Sequence, residues 1–416
     1  MGQIRKNKVF IYTCTCHRRD LDAKKVSKYL IANDYELTND PKKADYIIFF
    51  ACGFVNEVAD QCLEIVKKLK KYNAELIVAG CLPEMEKEKL NAIFSGETLV
   101  AKNMEKIDEI FSDNKIKYSE IQDENIRWTN FNPLGISKQP LGLYKSVVDN
   151  SEIGQKINAI LKKNLLKVLE NKNALLHEIL FPEFSDYHII MTSRGCSANC
   201  SYCAIRKAIG THKSKPLDIC IDEFKKGLKA GYKKFVITAD DLGAYGIDIG
   251  LKFPELIDKI TKIEGDYGIE IQGLNPIWVV KYIDELEELI KRGKIKTLIS
   301  PIQSGGSRIL KLMNRFNDTD RMRDVFKRLK KAYPNLSLET NYLVGFPSET
   351  EDDVKKSLEF IKSVKFDVCY IFPFSLKTDT EAEKINPKIP RKIALKRIKF
   401  AEDFLNKNGV KVQIIK

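Results

Sequence analysis

Three times between Val9 and Cys81 an apolar run ends on a cysteine. Val9-Phe-Ile-Tyr-Thr13 stops at Cys14, Asp45-Tyr-Ile-Ile-Phe-Phe-Ala51 at Cys52, and Glu75-Leu-Ile-Val-Ala-Gly80 at Cys81. Such runs, with no polar alternation, read as strands buried on both faces. Helical patterns at roughly 20–33 and 56–72 lie between them and would form the crossovers of a parallel, doubly wound sheet. That topology gathers the carboxyl ends of the strands on one edge, where ligands bind. Each cysteine then stands just past a strand on the shared edge. Three converging thiolates there point to an iron–sulfur site rather than to three unrelated buried thiols. Cys16 and His17 flank the first position and read as loop residues. Cys62, Cys220 and Cys369 fall in helix or strand patterns and read as buried thiols without an assigned role.

A second set, Cys196, Cys200 and Cys203, has the spacing C-x3-C-x2-C on a loop of Gly, Ser and Asn. Zinc sites bring four ligands, typically in paired knuckles, and no fourth ligand follows here at such spacing. Three thiolates suit three corners of a 4Fe–4S cube and leave one iron open to a cofactor or substrate. The chain has 10 Cys, no apolar run near the roughly 18 residues of a membrane span and no signal-peptide succession, so metal chemistry is favoured over disulfides. These features predict a cytoplasmic protein with no membrane partner. Lys and Arg (70) exceed Asp and Glu (57) by 13. That excess suits a polyanion such as RNA, but short clusters such as Lys67-Lys68-Leu69-Lys70-Lys71 read first as a solvated coat.

At Cys196–Cys203 the sequence resembles the cluster loop of radical S-adenosylmethionine (SAM) enzymes. The N-terminal cysteines narrow the resemblance to the methylthiotransferases of the MiaB/RimO/MtaB type. Tyr12-Thr-Cys14 with Asp20, Ala44-Asp45 through Cys52 with Val55-Asn-Glu57, and Ala79-Gly-Cys81 are similar to the three cysteine motifs of that family. Thr238-Ala-Asp-Asp-Leu-Gly-Ala-Tyr-Gly246 resembles its loop after the second barrel strand. Pro301-Ile-Gln-Ser-Gly-Gly-Ser307, Leu310-Lys-Leu-Met-Asn-Arg315 and Leu343-Val-Gly-Phe-Pro-Ser-Glu-Thr350 are similar to further family signatures. Departures lie at Arg206, Ile209, Lys215 and Asn341. The small C-terminal TRAM barrel common in the family is expected to be missing, because the sequence stops at Lys416 soon after a helical pattern around 392–406.

The resemblance implies an α/β chain in which the doubly wound sheet is joined to a partial (β/α) radical SAM barrel. The expected domains are an N-terminal methylthiotransferase domain, 1–112, a connector, 113–186, with a helical pattern from 153 to about 180, and a barrel with a C-terminal helix, 187–416. The connector reads as a packing element or as a docking surface. The cofactors implied are two 4Fe–4S clusters, on Cys14, Cys52 and Cys81 and on Cys196, Cys200 and Cys203, together with SAM. Thr238, Asp240, Gln303, Ser304 and Arg315 match the family's SAM pocket. No catalytic residue beyond the cluster ligands is implied. The implied reaction replaces an unactivated C–H hydrogen with a methylthio group, fed by a one-electron donor of flavodoxin or ferredoxin type. The sheet edge must then face the mouth of the barrel. A tRNA adenosine beside the anticodon is the expected substrate, and a protein or ribosomally made peptide side chain the alternative. A further alternative is a radical SAM enzyme whose second cluster only donates electrons or sulfide.

Overall fold

The computed structural model describes residues 7–128 and 187–415. The connector helix expected at 153–180 and most of the 113–186 stretch lie outside the described residues.

Strands β1 (Lys8–Cys14), β2 (Glu36–Leu37), β3 (Tyr46–Ala51), β4 (Glu75–Gly80) and β5 (Thr98–Val100) form one parallel sheet in the order β2-β1-β3-β4-β5. Alternation along each strand divides the apolar side chains between two cores. Phe10, Tyr12, Ile47, Phe49, Leu76 and Val78 meet the helix Asn56–Leu69 on one face. Val9, Ile11, Ile48, Phe50, Ile77 and Ala79 meet the helix His17–Ala32 on the other. The continuous apolar runs are thus explained: each strand is covered on both sides, and the sheet is doubly wound as expected. Tyr118, Ile121 and Trp128, from the stretch after residue 112, pack on the second of these cores.

The C-terminal part is a singly wound parallel sheet. Its strands are β6 (Tyr187–Met191), β9 (Lys234–Thr238), β10 (Gly268–Gln272), β11 (Ile295–Ile299), β12 (Ser337–Val344), β13 (Val368–Pro373) and β14 (Lys411–Ile414). They lie in that spatial order, with β6 and β14 at the two edges among the described residues. A two-stranded antiparallel pair, β7 (Ser193–Arg194) with β8 (Lys213–Ser214), closes the base of the loop that carries Cys196, Cys200 and Cys203. Crossover helices cover one face of the large sheet around a core from Ile190 to Ile415. The helix Glu351–Val364 illustrates the local rules: Thr350 and Asp353 form a reciprocal capping box, and three acidic residues occupy its first turn. The expected C-terminal helix is present as Arg391–Lys407. Among the described residues no helix is long and apolar enough to cross a membrane.

The two parts meet along a seam. Phe54 and Phe372 stack edge to face with centroids 5.9 Å apart. Glu86 and Lys377 form a buried ion pair at 2.7 Å. The segment before Trp128 stitches the seam, because Asn125 accepts from Ile189 N–H at 2.8 Å and donates to Ile189 O at 3.0 Å.

Candidate functional site

Cys14, Cys52 and Cys81 stand at the ends of three adjacent strands. Cys14 is in register with Ala51, and Ala51 with Gly80. The ladder continues one step further, since Cys52 N–H donates to Cys14 O and Cys81 N–H to Ala51 O, each at 3.1 Å. Cys52 is buried, while Cys14 and Cys81 keep part of their surface exposed. Burial pushes the Cys52 thiol well up, and Cys16, Cys81 and Cys14 add to the effect, so these four sulfurs share one neighbourhood. Cys62 lies beneath them on its helix, with its thiol 3.7 Å from Cys14 O. Cys220 and Cys369 are buried in the barrel, as the sequence suggested.

The loop of Cys196, Cys200 and Cys203 is held by backbone as much as by side chains. Gly195 has φ +74°, and a Cβ there would fall 1.9 Å from Thr211 O, so only glycine admits this turn. Cys196 N–H donates to Gly210 O at 3.2 Å, and Cys203 N–H to Cys200 O at 3.1 Å. Asp241 accepts from Ser197 N–H at 3.2 Å and from the Ser197 hydroxyl. Its other oxygen accepts from Trp278 Nε1 at 2.9 Å. Leu312, Met313, Asn314 and Arg315 form a clamp on the far side. Ser201 donates its hydroxyl to Leu312 O (2.7 Å) and its N–H to Met313 O (3.0 Å), and Asn314 Nδ2 donates to Asn199 O (2.7 Å).

The residues expected around SAM divide into two groups. Thr238 ends β9, and its buried hydroxyl has no hydrogen-bond partner among the described residues. Arg315 places Nη1 3.5 Å from Cys200 Sγ and Nη2 on Asn275 Oδ1 (3.1 Å) and Pro301 O (2.6 Å). Asp240 lies beside the cluster loop, where it accepts from Gly195 N–H at 3.0 Å. Gln303 adopts φ +67° in a bridge to Tyr342. The Ser304 hydroxyl is taken by Ser357 and Gly306 N–H, both at 3.2 Å. Neither Gln303 nor Ser304 lines the cavities that touch the thiols.

Two cavities reach the loop cysteines. One of about 100 Å³ is lined by Cys196, Cys200, Cys203, Arg18, Ile209 and Asp240. The other, about 690 Å³, touches Cys200 and Cys203 from the side of Lys102, Arg206 and Lys207. Arg18 follows shortly after Cys14 in sequence, and Cys81 packs with Ala204 and Ile205, directly after Cys203. The strand-end edge of the first sheet therefore faces the cysteine loop of the second.

Each set supplies three thiol donors, the number that a 4Fe–4S cube with one open iron takes. A cube distributes its thiolates over separate irons and needs them further apart than a lone zinc does. Burial pushes Cys196, with Asp241 adding, and Cys81, with Arg19 opposing, each up to about 12. Burial thus favours the neutral thiol at both positions.

Comparison with known proteins fits this geometry. The Radical SAM superfamily matches residues 190–361, and the uncharacterized protein family UPF0004 matches residues 8–101. The chain is 28% identical over 381 residues to a probable threonylcarbamoyladenosine tRNA methylthiotransferase of Pyrococcus horikoshii, covering 91% of this chain and 79% of that protein. It is 29% identical over 392 residues to the ribosomal protein uS12 methylthiotransferase RimO of Carboxydothermus hydrogenoformans, covering 92% and 79%. The solved radical SAM methyltransferase TsrM of Kitasatospora setae, with cobalamin and a 4Fe–4S cluster bound, aligns with a TM-score of 0.60 at 10% identity. That alignment covers 91% of this chain and 77% of the other, and it speaks for the fold alone.

Proposed function

This chain belongs to the radical SAM methylthiotransferase family, and from that premise we propose that it installs a methylthio group on a tRNA adenosine beside the anticodon. The observation that carries the reading is the meeting of two three-cysteine sets across one seam, with Arg18 lining the cavity over the second. A net charge of +13 and the tRNA relative favour the nucleic acid. The uS12 relative supports a second reading, a protein side chain as acceptor.

A 4Fe–4S cluster with SAM supplies the one-electron chemistry that an unactivated C–H bond requires and that side-chain acids and bases lack. Cys196, Cys200 and Cys203 would hold that cluster, and Cys14, Cys52 and Cys81 a second. Arg315 sets a guanidinium 3.5 Å from Cys200 Sγ and anchors it on Asn275 and Pro301 O, so a positive charge stands beside the thiol loop. Asp241 fixes the loop through Ser197 while Trp278 fixes Asp241, so the open corner of the site keeps one orientation. Thr238 offers a buried hydroxyl with hydrogen-bonding capacity to spare at the end of its strand, and Gln303 projects from a strained backbone beside β12. The proposed electron donor is a small carrier of flavodoxin or ferredoxin type.

The test combines two measurements. The anaerobically reconstituted chain is expected to hold about eight irons, falling to about four when Cys14, Cys52 and Cys81 are all changed to Ala. A parent that binds only about four sinks the two-cluster reading. Mass spectrometry of tRNA nucleosides, from cells with and without the gene, is expected to show a methylthioadenosine that disappears with the gene. An unchanged nucleoside profile with both clusters intact turns the assignment to a protein acceptor.

A further inference from the structure

Two consecutive arginines lie in the first turn of the helix His17–Ala32, directly behind Cys14 and Cys16. Cations at a helix N-terminus oppose the helix dipole, so the dipole does not account for them. Arg18 finds its partners elsewhere in the chain, and Arg19 pairs both with Asp22 on its own helix and with Asp240 beyond it. Arg18 Nε is 3.3 Å from Asp240 Oδ1, and its Nη1 donates to Ala239 O at 3.1 Å. Arg19 is buried, with Nη2 3.6 Å from Asp240 Oδ2 and Nη1 2.9 Å from Asp22 Oδ2. The second oxygen of the fully buried Asp22 takes Arg194 Nη1 at 2.6 Å. Arg194 and Gly195 lead directly into Cys196, and Gly195 N–H is bound by Asp240.

The side chains Arg194, Asp22, Arg19, Asp240 and Arg18 therefore form one run of alternating charge between the two thiol sets. Cations exceed carboxylates in it. A branch outward among the described residues, from Arg194 to Asp123 at 3.9 Å, is matched by Lys25 and Lys215 at 2.9 and 3.1 Å. Burial opposes the charge on Arg19, but Asp22 and Asp240 outweigh it, and Cys81 and Cys16 lie within Coulombic reach of the same guanidinium. A buried positive charge is weakly screened, so it stabilises the more negative, reduced state of any redox centre beside it.

We propose that Arg19 is a positioning residue for both iron sites. It fixes the turn into Cys196 against the strand-end edge and lends the two sites one buried counter-charge. The proposal rests on the two-cluster reading above. Its test is an iron count and an EPR-monitored redox titration of the full-length, reconstituted parent and of Arg19→Gln, Arg19→Lys and Asp240→Asn. Arg19→Gln is expected to keep about eight irons while both midpoint potentials shift downward. Arg19→Lys retains the charge and shifts them less. Asp240→Asn removes an anion from the same run and shifts them upward, which carries the test should Arg19→Gln not fold. Parental potentials at parental iron content in all three variants overturn the proposal and leave the two clusters standing. Equal shifts in the Gln and Lys variants also overturn it, because they mark a loss of shape rather than of charge. A parent with only about four irons overturns both readings together.

Discussion

Asp240 couples the cysteine loop of the barrel to the first helix of the N-terminal sheet. By resemblance it belongs to the SAM pocket, yet in the fold both of its oxygens are taken, by Arg18, Arg19 and Gly195 N–H. Glu349, in the turn Gly345-Phe-Pro-Ser-Glu349, is a second buried carboxylate with a measurable signature. Burial pushes it up to about 7 from 4.5, although Gly345 N–H (2.9 Å) and Arg397 (3.1 Å) pull it down. The folded chain then keeps a proton that the unfolded chain has released, so stability falls as pH rises between those two values. Glu349→Gln is expected to flatten this dependence. Its melting temperatures at about pH 5 and about pH 7.5 should lie closer together than those of the parent. An unaltered gap would show that Glu349 does not titrate in that window.

Elements were legible in the sequence to the extent that their causes were local. Continuous apolar runs gave β1, β3 and β4 within a residue or so of their ends, because a strand covered on both faces cannot alternate. The three cysteines could be placed on one edge for the same reason. The supports of the Cys196–Cys203 loop could not, since they depend on contacts between distant stretches. Asp241 and Trp278 reach it from other crossovers, and the clamp after Leu310 works largely through the Leu312 and Met313 carbonyls, which no side-chain pattern reveals. Gly243 shows how closely these supports fit: a Cβ there would fall 2.1 Å from Trp278 Cγ. Gly243→Ala is expected to cost about 1–3 kcal/mol through overpacking. By displacing Trp278 from Asp241 it should also lower the iron retained by a chain lacking the N-terminal cysteines. Denaturant unfolding and iron analysis check the two effects separately.

At the scale of the whole molecule, the seam decides whether the two cysteine sets work together. Lys377 is buried against Glu86, which also meets Lys89 at 3.1 Å. Glu86→Ala strands an ammonium in the seam and is expected to cost about 3–5 kcal/mol. Adding Lys377→Met should recover most of that loss, as a double-mutant cycle in chemical denaturation would show. A double variant no better than the single one would mean that the pair holds nothing together.

The hydrogen bonds between Asn125 and Ile189 carry a consequence for how the gene can be cut. They tie the described residues just before Trp128 to those just after Tyr187, so the two stretches that flank 129–186 are already held to each other. A glycine–serine tether in place of 129–186 is therefore expected to leave both sheets intact. Such a shortened chain is expected to melt within a few degrees of the parent and to retain its iron. If it fails only in turnover on its macromolecular substrate, the replaced residues serve recognition. If it turns over normally, recognition lies on the two sheets themselves.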